Sequence, residues 1–179
     1  MRATVKVWDP LVRLFHWSLV ASFAVAWLSA DEVKNLHEWA GYAAAALIGF
    51  RLVWGVIGPR YARFTQFIRS PGYTLGYFRD LLAGREARFV GHNPLGGLMI
   101  AGLLLTMGTT ALTGWMQTTD TYWGIEWVKE LHETCANAML ALVVLHVGGV
   151  VFSSVRHGEN LVRSMLTGRK AAAGAEDVA

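Results

Sequence analysis

The sequence predicts an all-α integral membrane protein, a bundle of four transmembrane helices. Three observations carry that fold class. The first is composition: 54% of the 179 residues are hydrophobic and only 16% charged, whereas a soluble domain runs at roughly 45–50% and about 25%. The second is that the apolar residues gather into four stretches, Leu11–Ala30, Leu36–Ile57, Leu95–Met116 and Leu131–Val155. Each is long enough to cross ~30 Å of hydrocarbon at ~1.5 Å per residue. The third is that the basic residues alternate between connections, dense in one and sparse in the next.

The first stretch opens at Asp9-Pro10, an N-cap residue followed by proline at the first helical position, and the third opens the same way at Asn93-Pro94. His16 and Trp17 stand where a cleaved signal would carry plain leucines, so the first stretch is read as a retained helix. Gly58-Pro59 stops the second. The middle connection is expected to hold a short amphipathic helix beginning at Ser70-Pro71. It would turn Tyr77, Phe78, Leu81 and Leu82 to one side and lie on the membrane surface. Trp123 and Trp127 suit an interfacial belt between the third and fourth helices. Residues 171–179, small and polar, are expected to be a disordered tail of this single domain, residues 1–179.

Arg2, Lys6 and Arg13 precede the first helix, and Arg60, Arg63, Arg69, Arg79, Arg85 and Arg88 lie between the second and third. Arg156, Arg163, Arg169 and Lys170 follow the fourth, and the other two connections hold only Lys34 and Lys129. The positive-inside rule then puts both termini and the middle connection in the cytoplasm of a bacterial inner-membrane protein. The pI near 9.2 follows from topology and needs no nucleic-acid partner. A single cysteine, Cys135, excludes a disulfide framework and a C-x-x-C-H haem attachment.

Of six histidines, His16, His37, His132 and His146 fall inside membrane stretches, where ionisable side chains are rare and functional. Alternating helix direction puts His16 and His146 near the inner face, and His37 and His132 near the outer one. His132 and His146 are separated by about 21 Å of helix and lie within about 40° of one face. The simplest pairing is His16 with His146 and His37 with His132. A pair of facing imidazoles at one depth is what a six-coordinate b-type haem needs, so the histidines are candidate iron ligands for two non-covalent haems stacked across the bilayer. Gly41, one turn after His37, and Gly102, Gly108, Gly114, Gly148 and Gly149 either make room for the macrocycles or simply pack helices. Arg51, on the His37 face at the inner level, either pairs with a haem propionate or snorkels to the interface. His92 and His157 are expected to be solvated.

The residues Trp8-Asp9-Pro10 with Phe15-His16-Trp17, His37-Glu38 with Gly41 and Arg51, the run Gly91 to Gly96, and His132-Glu133-Thr134 with His146 resemble the bacterial cytochrome b561 family from about Val7 to Leu166. That family includes the cytochrome b subunits of nickel-iron hydrogenases and a superoxide-oxidising four-helix member. The resemblance implies haem ligation by His16, His37, His132 and His146, and a quinone, ubiquinone or another, as one electron partner. Hydrogenase-bound members usually have an extra transmembrane helix, which this chain lacks.

The leading functional expectation is electron transfer between the quinone pool and an outer-face protein such as a c-type cytochrome, rather than stand-alone catalysis. Asp31, Glu32, Asp120, Glu126 and Glu130 would steer a basic partner there. A superoxide:quinone oxidoreductase is the enzymatic alternative, although superoxide is an anion and favours a basic funnel. A hydrogenase-type cytochrome b subunit is a further one. A transporter built on intramembrane histidines would show internal repeats or broken helices at mid-membrane, and neither is present.

Overall fold

The computed structural model describes residues 3–179. It is an all-α membrane helical bundle with very little sheet. Four helices have the length and hydropathy to cross a bilayer: α1 Pro10–Ser29, α2 Lys34–Ile57, α5 Pro94–Met116 and α6 Glu126–His157. The shorter α3 Phe64–Phe67, α4 Pro71–Leu82 and α7 Leu161–Thr167 lie outside these spans, and strands β1 Thr4–Lys6 and β2 Arg169–Ala171 pair antiparallel. The described residues divide into two compact units, one of residues 14–53 and 102–144, the other of residues 3–13, 54–101 and 145–179. Each long helix contributes to both.

The starts of the helices follow local chemistry. Asp9 Oδ1 accepts from the Leu11 and Val12 amides and also from the Trp54 indole N–H at 3.3 Å. Asn93 Oδ1 accepts from the Gly96 amide at 2.7 Å. Ser70 caps α4, with proline following at its first position, as expected. Helix α6 begins five residues before the apolar stretch, because its first turn is amphipathic, with Glu126 at the favourable end of the helix dipole.

In the first unit the core is Ala44, Ile48, Met107 and Met139, with Leu19, Phe23, Leu103, Leu104 and Val143 packed against it. All four long helices contribute, at spacings of three or four residues. Their outward sides stay apolar: Leu28 is 78% exposed, Leu105 73% and Leu145 62%. Such surface belongs in lipid. The hydroxyls of Thr106, Thr109, Thr110 and Thr113 all donate to carbonyls one turn back in α5. No hydroxyl hydrogen of these threonines is therefore left for the hydrocarbon to satisfy.

In the second unit, residues 171–179 make specific contacts instead of forming the loose tail their composition suggests. The Val178 amide donates to the Arg88 carbonyl and its carbonyl accepts from Val90. Arg88 binds Asp177 and Glu159 through its guanidinium and also donates to the Ala171 carbonyl. Lys170, 6% exposed, sits 3.4 Å from Glu159 and donates to the Phe89 carbonyl. Composition cannot reveal partners that lie some eighty residues away.

The acidic groups of this cluster are tuned by it. Burial pushes Glu159 up, but Lys170, the Ala171 amide and Arg88 outweigh it and hold the carboxyl below its ordinary 4.5. The Gly174 amide, with Arg88, holds Asp177 below 3.8. Carboxyls depressed on folding contribute stability above their unfolded values and lose it as pH falls through the folded ones. A nitroxide placed at Ala175→Cys, with Cys135→Ser, is therefore expected to gain mobility below about pH 4. Arg88→Ala is expected to release it at neutral pH and to cost about 2 kcal/mol, less than a fully buried pair because some water reaches the cluster. An immobile label in that variant would show that the ion pairs are dispensable.

Candidate functional site

His37 lies in the first turn of α2 and His132 in the second turn of α6. The structure brings these two together, with ring centres 6.0 Å apart and planes at 72°. Each ring is held by a carbonyl of a different helix. His37 Nδ1 is 2.8 Å from the Ala26 carbonyl oxygen of α1. His132 Nδ1 is 2.9 Å from the Thr110 carbonyl oxygen of α5, with the Thr113 hydroxyl at 3.3 Å. A carbonyl oxygen only accepts, so each Nδ1 carries the hydrogen. In the neutral imidazole that leaves Nε2 with its lone pair, the nitrogen that serves as a metal ligand. Two imidazoles on opposite sides of one ion have ring centres roughly 6 Å apart, since each nitrogen lies about 2 Å from the metal and the ring centre about 1 Å beyond. The observed pair fits axial ligation on both separation and tautomer. Among the described residues no group of three or more His, Cys, Asp or Glu gathers as a metal cluster.

His16 is half-buried in α1 and meets Trp17 edge-on, ring centres 5.0 Å apart. His146 is half-buried in α6. These two belong to different units. Arg51 is buried, at 3% exposed, so protein covers its side chain instead of letting it reach outward.

The glycines separate into two kinds. A Cβ at Gly41, Gly148 or Gly149 would meet nothing within 4 Å, so simple helix packing does not account for them. Gly114 is different, because a Cβ there would sit 3.0 Å from His132 Cε1. The third helix needs glycine at that point so that the imidazole can lie against its backbone.

Sequence reasoning missed the Ala26 and Thr110 carbonyls, since main-chain acceptors leave no residue-type signal. It also misplaced His92. That ring lies between Trp8, at 4.5 Å, and Phe67, at 5.0 Å, beside the cluster of Val7, Trp8 and Val90, and so is packed instead of solvated.

The fold defines a multi-pass membrane protein that carries histidines within its spans. The sequence profile of the family described as prokaryotic cytochrome b561 matches residues 7–168. The chain belongs to that family and is a membrane b-type cytochrome of electron transfer. No curated protein and no solved structure matches it.

Gly114→Val is expected to push against a His132 ring that two acceptors already hold, at about 1–3 kcal/mol for overpacking. Thermal unfolding followed by circular dichroism measures this. An unchanged midpoint would mean that the ring has room to yield.

Proposed function

We propose that this cytochrome holds two haems b, one between His37 and His132 and one between His16 and His146. It then carries electrons across the inner membrane between the quinone pool and a basic periplasmic redox protein such as a c-type cytochrome. The observation that carries the proposal is the His37–His132 pair, whose ring centres are 6.0 Å apart and whose Nδ1 hydrogens are spent on main-chain carbonyls. A haem with both axial positions filled exchanges single electrons and offers no open position to oxygen or substrate.

The four histidines hold iron, and the carbonyls of Ala26 and Thr110 fix the ring orientation of His37 and His132 and the tautomer that turns the Nε2 lone pair to the metal. The space beside Gly41, and beside Gly148 and Gly149, suits flat macrocycles. Arg51, buried on the His37 face of α2, is assigned to a propionate of the inner haem. The uneven distribution of arginine supports cytoplasmic termini.

The outer connections support the choice of partner. Asp31, Glu32, Asp120, Glu126 and Glu130 are all exposed in the first unit. The two lysines nearby are already engaged: Lys34 with Glu38 at 3.6 Å and over the Trp123 ring at 4.9 Å, and Lys129 with Glu133 at 3.9 Å. The surface that remains is acidic, and it attracts a basic protein and repels a small anion.

Pyridine haemochrome analysis of the detergent-purified protein is expected to give about two haems per chain. His132→Ala and His146→Ala should each retain about one, with different reduced-minus-oxidised spectra. Full haem content in either variant would refute that ligand. Added superoxide is expected to reduce the protein far below the diffusional ceiling of about 10⁹ M⁻¹s⁻¹. Reduction near that ceiling would favour the superoxide oxidase reading instead.

A further inference from the structure

A second feature, independent of the histidines, lies where α2 leaves the membrane span. Arg60, Arg63, Arg69, Thr65 and Gln66 line an open pocket of about 360 Å³ together with Ala179. Three arginines converge on it, and among the described residues no Asp or Glu side chain lies within ion-pair distance of any of them; Arg60 meets only the Ala179 main-chain oxygen. The sequence explains the absence locally, since no Asp or Glu occurs between Glu38 and Asp80.

Each guanidinium is held by contacts that leave charge over. Arg63 Nε donates to the Gly58 carbonyl at 2.7 Å, leaving its terminal nitrogens available. Arg60 Nη2 donates to the Ala179 carbonyl oxygen at 2.9 Å and its guanidinium lies over the Tyr61 ring. Arg69 lies over the Tyr73 ring, 6.0 Å from its centre. Gln66 Oε1 is buried without a hydrogen-bond partner among the described residues, an acceptor that a hydroxyl-bearing ligand would satisfy.

The pocket's surroundings name the ligand's other half. Arg60 comes three residues after the last residue of α2. Ile68 is 51% exposed beside the pocket, and along α4 Leu75 is 49% and Leu82 74% exposed. Guanidinium groups facing phosphate beside an apolar strip are the chemistry of an anionic lipid at the bilayer surface. We infer that the Arg60–Arg63–Arg69 pocket binds the phosphate of an anionic phospholipid headgroup, with the Ile68 and α4 apolar side chains against its acyl chains.

The test is native mass spectrometry of the detergent-purified protein, given phosphatidylglycerol, phosphatidylcholine or sodium phosphate. The wild type is expected to retain phosphatidylglycerol over phosphatidylcholine. Arg60→Gln with Arg69→Gln should reduce that preference about tenfold or more. Arg79→Gln with Arg163→Gln removes the same charge outside the pocket and should preserve it. Circular dichroism of both variants should match the wild type. Three results would each overturn the proposal. These are equal retention of the two lipids by the wild type, equal loss in both double variants, and displacement of phosphatidylglycerol by millimolar inorganic phosphate, which would make free phosphate the ligand.

Discussion

Inside a bilayer an imidazole has no water to bond, and every polar atom it carries must find a partner within the protein. That constraint organises the membrane part of this structure. His37 and His132 each give their Nδ1 hydrogen to a carbonyl of a neighbouring helix. Such bonds ask α1 to approach α2 and α5 to approach α6 closely, and Gly114 permits the second approach by presenting only backbone to the His132 ring. The same constraint turns the α5 threonines inward upon their own helix. What is left over, a basic nitrogen on each imidazole, is the atom with which such a protein can hold a metal.

The spacing along α2 and α6 sets their polar residues apart. On α2 the residues His37, Gly41, Ala44, Ile48 and Arg51 follow one another at intervals of four and three, and on α6 His132, Met139, Val143 and His146 follow at intervals of seven, four and three. Each seam is apolar in its middle, where Ala44, Ile48, Met107 and Met139 form the core, and polar towards its ends. A stripe of that kind sets two polar levels apart by a layer of hydrocarbon side chains, and it does so within single helices.

Features that repeat along the chain were legible in the sequence. The four spans and the proline starts at Pro10, Pro71 and Pro94 rest on local periodicity or capping, which one sequence displays. Features that depend on distant partners were not. Strands of three residues, Thr4–Lys6 and Arg169–Ala171, are too short to show alternation. Arg88 reads as one more topological charge until Glu159, Lys170 and Asp177 arrive around it, and His92 reads as solvated until Trp8 and Phe67 enclose it. The amphipathic first turn of α6 escaped for a related reason, since hydropathy finds where a helix is apolar and not where it starts.

The β1–β2 pairing has a consequence for how the protein is made. Thr4 lies opposite Ala171, and Arg169 reaches the Thr4 hydroxyl across 165 positions of sequence. During synthesis β1 emerges first and waits for a partner that follows the fourth membrane span. Closure of this ribbon thus comes after helix insertion and pays the loop entropy of nearly the whole chain. It acts as a late seal, formed only once all four spans have been made.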